Sequence, residues 1–164
     1  MTAAQSLWPT PRGAASAWPL PRPPPVPPPT VVVCEAGTDS VGRVRVSPSG
    51  PSSIHIEDLV VQQPHRGQGL GARLLAAAFE LGRRWGRGRA WLEADDTGSG
   101  RLIEWYRRLG FQPAGRGPHG RPLLEARAAR ALPVIRRELE TQAGGRPSYT
   151  LRAVPVTPAT RTHP

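Results

Sequence analysis

Residues 54–81 read Ile-His-Ile-Glu-Asp-Leu-Val-Val-Gln-Gln-Pro-His-Arg-Gly-Gln-Gly-Leu-Gly-Ala-Arg-Leu-Leu-Ala-Ala-Ala-Phe-Glu-Leu, and this stretch decides the fold. Its first eight residues, 54–61, are rich in Val, Ile and Leu with partial alternation, which predicts a strand. Leu70, Leu74, Ala78, Leu81 and Trp85 then recur at three- and four-residue spacings, one face of a helix. Between them Gly67, Gly69 and Gly71 carry no side chain, so a ligand can approach the backbone closely. The first amides of a helix have no internal acceptor, and with the helix dipole they attract an anion. Strand, glycine turn and helix together predict a phosphate site.

The 164 residues suit one domain with a real core. All 22 basic residues are arginine, and lysine and asparagine are absent. With 21 Pro and 18 Gly, this is the imprint of a GC-rich genome, and a bacterial cytoplasm is the expected location. The net charge of +10 therefore argues less for nucleic acid than its size suggests, because codon bias alone supplies arginine. Without lysine there is no Gly-x-x-x-x-Gly-Lys phosphate loop and no Schiff base. A single cysteine, Cys34, excludes an internal disulfide and multi-cysteine metal sites, and its apolar neighbours Val31, Val32 and Val33 predict an inert buried thiol. No metal-ligand spacing occurs. No stretch reaches the ~18 apolar residues of a membrane helix, and the N-terminus has no signal-peptide core.

Residues 1–29 are low in complexity, contain Trp8 and Trp18, and end in a proline run, so they are expected to stay outside the fold as a disordered segment. The domain is expected at 30–155 and a disordered tail at 156–164. Strands are expected at 30–36, 41–46 and 54–61 as an antiparallel meander, then a helix at 69–85 and a strand at 89–95. In that strand Trp91, Glu93 and Asp95 share one face and Ala90, Leu92 and Ala94 the other. Thr97 or Ser99 caps a helix at 99–109, which Gly110 ends in a left-handed cap with Phe111 folded back. A short strand from Phe111, a helix over 122–142 broken at Pro133, and a last strand at 149–154 complete the reading.

A dinucleotide fingerprint fits the glycine turn poorly. The third glycine is misplaced, and the preceding strand ends a meander rather than opening a βαβ unit, although Glu93 stands near the spacing (about twenty residues) where that fingerprint places an acid. A second motif, Tyr106-Arg107-Arg108-Leu109-Gly110-Phe111, gives a better fit. The pattern Q/R-x-x-G-x-G followed after a strand by Y-x-x-x-G-F resembles the GNAT superfamily of acetyl-CoA-dependent N-acetyltransferases, over roughly residues 30–113. The resemblance implies an α/β (α+β) fold with a mixed, mostly antiparallel sheet flanked by helices. It also implies acetyl-CoA as cosubstrate, no metal, and an amine acceptor on a small molecule or protein.

By that resemblance the backbone of Leu59, Val60 and Val61 pairs with the pantetheine arm. The amides of Gly67, Gln68, Gly69, Leu70, Gly71 and Ala72 hold the pyrophosphate. Arg66 adds charge or buttresses the turn, and Arg73 reaches a phosphate. Tyr106 would protonate the leaving thiolate, since an ordinary phenol with a pKa of about 10 keeps its proton at neutral pH; Leu102, Tyr106 and Leu109 also share a packing face. Glu93 is the first candidate for the base that frees the amine and Glu57 the second, with His55 a third that reads more simply as structural. His65 is expected to pack beside the cofactor. Ser99 stands where many relatives have a cofactor-touching asparagine.

Two departures accompany the resemblance. The strand and two helices that open the family are expected to be missing, and helix at 122–142 would replace the usual sixth-to-seventh strand hairpin. Three readings remain open: an active acetyltransferase, a weakly catalytic acyl-CoA sensor or interaction module, and a basic nucleic-acid-associated protein acting through 116–152. Missing helices would leave apolar surface that a homodimer could cover.

Overall fold

The computed structural model describes residues 23–142 and 148–157. The expectations for Trp8, Trp18 and the rest of 1–22, and for 158–164, lie outside the described residues. Residues 23–29 have no regular structure and are largely exposed. Strands β1 (Thr30–Ala36), β2 (Asp39–Ser49) and β3 (Ser53–Val61) form the expected antiparallel meander. Helix α1 (Leu70–Arg84) leads to β4 (Arg89–Glu93), which pairs parallel with β3. Helix α2 (Arg101–Arg108), β5 (Gln112–Arg116), β6 (Pro122–Arg127), α3 (Ala128–Thr141) and β7 (Thr150–Pro155) follow. The sheet order is β5-β6-β4-β3-β2-β1-β7, the mixed, mostly antiparallel sheet that was expected.

Alternation in the strands sends one set of side chains toward the helices. Val32, Val44, Ile54, Ile56, Ala90, Leu92 and Leu124 are each at most 3% exposed, against Leu74, Leu75, Ala78 and Phe79 of α1 and Ile135 of α3. Phe79 meets Phe111 with ring centroids 5.7 Å apart, joining α1 to the end of α2. Val41 lies three residues from Val44, and both are buried, which a regular strand forbids. The register explains it: Cys34 faces Gly42 and Glu35 faces Ser40, so β2 carries an extra residue, Val41, against β1, and a second irregularity lies between β2 and β3 at Arg43 and Arg45. Arg43 faces Val60 and Arg45 faces Glu57, so β3 carries the extra residue, and Asp58 sits there at φ 49°. Cys34 is fully buried, and burial pushes its thiol pKa up, consistent with an unreactive side chain.

The expected helix over 122–142 is corrected. Its first six residues are β6, and helix begins at Ala128. Leu, Glu, Ala and Arg are good helix formers, so local propensity favours helix, but pairing with β4 and burial of Leu124 and Ala126 override it. The β5–β6 hairpin is therefore present. Helix α3 also runs through Pro133 rather than breaking there. Pro133 and Ala129 are both exposed, so water can take the carbonyl that proline leaves without a donor. The final strand, β7, pairs with β1 from Thr30↔Pro155 to Glu35↔Thr150, and the Val156 amide bonds the Pro29 carbonyl at 2.7 Å.

Candidate active site

Strands β3 and β4 are joined only from Ser53 to His55 and from Arg89 to Trp91, and then part. Beyond that point β3 continues to Val61 with no strand on its β4 side among the described residues. The Val60 carbonyl faces β2, where a Cβ on Gly42 would meet it at 3.0 Å. By alternation the backbone groups of Leu59 and Val61 face the opening. Arg66 turns back on this edge, its Nε donating to the Val61 carbonyl at 2.9 Å. It buttresses the turn and occupies one acceptor of the strand.

The glycines serve two purposes. Gly67 (φ 73°) and Gly69 (φ 78°) are left-handed, and Gly69 caps α1. Gly71 instead makes room for a neighbour: a Cβ there would meet the Trp105 ring of α2 at 3.2 Å. The first helical bond runs from the Arg73 amide to the Gly69 carbonyl, so the amides of Leu70, Gly71 and Ala72 have no acceptor in the helix. The Gln68 side chain donates to the Pro64 carbonyl at 3.2 Å and accepts from the Tyr149 hydroxyl at 2.6 Å.

Across from the turn stands α2, ended as expected. The Phe111 amide bonds the Tyr106 carbonyl and the Gly110 amide the Arg107 carbonyl, with Gly110 at φ 97°. Ser99 accepts from the Arg101 amide at 3.3 Å and donates to Asp96 at 3.0 Å, so it is engaged at the start of α2. Tyr106 is 6% exposed, its ring against Phe111 and Trp105, and its hydroxyl finds no hydrogen-bond partner among the described residues. Burial raises the phenol pKa well above its ordinary value.

Strand edge, turn and α2 enclose a cleft of about 890 Å³. It gathers Leu59, Val60, Val61, Arg66, Gly67, Gly69, Leu70, Gly71, Ala72 and Tyr106 from the residues the sequence singled out, with His65 at its rim. Gln68 and Ser99 do not line it. Arg73 lies in a separate depression between α1 and α3, with Ala76, Ala77 and Leu139. Sequence reading missed Asp95, Thr97, Trp105, Arg108, Glu138 and Gln142 as wall residues. Glu138 and Gln142 come from the end of α3, which only the packing of α3 on α1 brings here.

Glu93 and Glu57 stand outside the cleft lining, on the sheet face opposite the helices. Glu57 accepts from Ser47 Oγ at 3.1 Å, with Arg45 at 3.7 Å and His55 Nδ1 at 3.5 Å. His55 stacks on Trp91, centroids 3.6 Å apart, and Trp91 Nε1 donates to Ser49 at 3.0 Å. Burial lowers the His55 pKa against the opposing pull of Glu57 and Glu93, with His119 also lowering it. Glu93, its side chain 8% exposed, accepts from the His119 amide at 3.2 Å and from His119 Nδ1 at 2.8 Å. It packs so closely over Gly117 that a Cβ there would overlap its carboxylate. Burial raises the Glu93 pKa, but the His119 side-chain and backbone hydrogen bonds, then the charges of His119 and Arg121, outweigh it and the net shift is downward.

A depressed carboxylate adds stability that is present above its unfolded pKa and lost as pH falls through the folded one. His119→Ala keeps the backbone donor and removes the imidazole. Glu93 is expected to titrate at higher pH in that variant, and acid unfolding to begin at higher pH, both readable by carboxyl-carbon NMR and circular dichroism. An unchanged Glu93 titration would show that the imidazole does not hold it.

The chain belongs to the acetyltransferase (GNAT) family, whose model matches residues 2–111. The match starts further upstream than the resemblance over 30–113 did. Streptothricin acetyltransferase of Streptomyces lavendulae is 37% identical over 87 residues, covering 52% of this chain and 46% of that protein. The chain thus spans about half the length of this curated relative. Two solved structures share the fold. A GNAT-family protein of Desulfovibrio desulfuricans has a TM-score of 0.55 at 18% identity, over 61% of this chain and 70% of that one. A GNAT-family acetyltransferase of Elizabethkingia anophelis with acetyl-CoA bound has a TM-score of 0.52 at 14% identity, over 60% and 76%.

Proposed function

We propose that the chain transfers the acetyl group of acetyl-CoA to a primary amine, with streptothricin as the first acceptor to try. The observation that carries this reading is the cleft itself: an unpaired strand edge, free helix amides and a buried tyrosine on one cavity. Its volume of about 890 Å³ lies within the roughly 300–1,000 Å³ range of small-molecule sites. The residues fit acetyl-CoA. Leu59 offers backbone groups for amide pairing, the amides of Leu70, Gly71 and Ala72 suit the pyrophosphate, and Arg66 and Arg108 offset the negative Glu138 and Asp95.

Tyr106 acts on the leaving group. Attack by the amine expels a thiolate, and a buried phenol that stays protonated donates a hydrogen bond to the sulfur as charge develops. Its raised pKa lies above that of an ordinary thiol (~8.5), so this role is a bond strengthening in the transition state rather than a favourable full transfer. Glu93 is a weak base because His119 keeps its pKa low; it suits orienting a cationic amine or a relaying water. His55 stays neutral to lower pH than an ordinary histidine and can accept a proton at the point where β3 and β4 part.

The nucleic-acid reading is less well supported, because Arg121, Arg136 and Arg152 of segment 116–152 pair with Asp95, Glu80 and Glu35 within the domain. The direct test follows thiol release from acetyl-CoA across a panel of amines, with mass detection of a product heavier by one acetyl group. Binding of acetyl-CoA without release on any amine would leave the sensor reading standing and remove the enzymatic one.

A further inference from the structure

The glycine turn is held from the far end of the chain. Tyr149, just before β7, donates its hydroxyl to Gln68 Oε1 at 2.6 Å and stands 3.4 Å from His65 Nδ1, its ring edge-on to the imidazole. Gln68 in turn donates to the Pro64 carbonyl, so one amide side chain spans the turn and meets the tyrosine. Pairing of Thr150 with Glu35 anchors the segment immediately after Tyr149 to the sheet. Arg66 ties the near side of the turn to the Val61 carbonyl, but around Gly67 a Cβ would meet nothing within 4 Å, and Gly67 and Gly69 are the residue type with the most freedom to lose.

We infer that Tyr149 is a positioning residue for the cofactor turn, a latch that holds Gln68 and His65 so that the amides after Gly69 point into the cleft. It lies beyond residue 111, where the family match ends. Turn geometry fixed before binding lowers the ordering cost of the ligand. The inference rests on the acetyl-CoA reading for its consequence, though not for its geometry.

Three measurements on the full chain separate the inference from that reading. In the ligand-free protein, Tyr149→Phe keeps the ring and removes only the hydroxyl. Amide hydrogen exchange at His65 and Arg66, whose amides bond the Gln62 and Gln63 carbonyls at the start of the turn, is expected to quicken about tenfold while that of the core strands is unchanged. In calorimetric titrations with acetyl-CoA, Tyr149→Phe and Gln68→Ala are each expected to weaken binding about five- to tenfold. The double variant should be no weaker than the worse single one, as for two members of one contact. In turnover, the Tyr149→Phe change should fall on KM for acetyl-CoA and leave kcat within about twofold. Unchanged exchange in the turn overturns the latch, whatever the ligand. Multiplying effects in the double variant, or tight binding by Tyr149→Phe, overturn it equally. Failure of the wild-type chain to bind acetyl-CoA, with the exchange result intact, removes the cofactor reading and keeps the latch.

Discussion

Gly69→Glu is expected to weaken acetyl-CoA binding by at least a factor of about 100 while the domain stays folded. Gly69 sits at φ 78° on the cap of α1, ahead of three amides without helical acceptors. A hydrogen bond to a charged group is worth roughly 1.5–3 kcal/mol, so losing two such bonds to a pyrophosphate accounts for the factor. The new carboxylate competes for the same amides, and its charge repels the phosphates. Its effect on the helix is mild, because an acid at a helix N-terminus is favourable and offsets part of the ~1–2 kcal/mol that a side chain costs in the left-handed region. Gly69→Ala separates the two contributions, since it brings the backbone cost without the charge. Calorimetry alongside thermal unfolding checks this. Binding by Gly69→Glu within threefold of wild type, in a folded chain, would mean that the turn does not hold the phosphates.

Tyr106→Phe is expected to lower kcat by about 100-fold, the low end of what one hydrogen-bond donor to developing charge contributes, with acetyl-CoA affinity within about twofold. The phenylalanine ring preserves the packing on Phe111 and Trp105. The hydroxyl it deletes has no partner among the described residues, so the thermal midpoint should hardly move. Because burial raises the phenol pKa, wild-type kcat should show no loss from phenol ionisation on the alkaline side of its pH profile. A variant that turns over at the wild-type rate would move Tyr106 from chemistry to packing, the role its helix-face neighbours Leu102 and Leu109 also suggest.

Legibility in the sequence followed the range of the forces involved. The meander, the glycine turn, α1 and the Gly110–Phe111 cap are set by alternation, helical spacing and conformational preference within a few residues, and each was readable. Strand β6 was not, since Leu-Leu-Glu-Ala-Arg favours helix until β4 offers a partner. The extra residue of β2 opposite Cys34 and Glu35 left a trace in the mismatched spacing of Val41 and Val44, which a stricter account of register would have found. The clasp of His119 on Glu93, the α3 wall of the cleft and the reach of Tyr149 to Gln68 join residues far apart in the chain. Such contacts leave no local signature. Hence most residues lining the cleft around the glycine turn were named in advance, and the long-range contacts around them were not.

The pairing of β7 with β1 sets an order on biosynthesis. Among the described strands translation delivers β1 first and β7 last, so the edge of β1 lies bare until Thr150–Pro155 is made and becomes the outermost strand in its place. That edge exposes a row of unsatisfied amide and carbonyl groups, the kind of surface on which two unfinished chains can pair. Closing it requires joining segments from opposite ends of the domain, a step whose entropy is spent before its hydrogen bonds are gained. A premature stop before Thr150 would remove a strand and the tyrosine clasp together, so such a product would be both sticky and poor at holding its ligand.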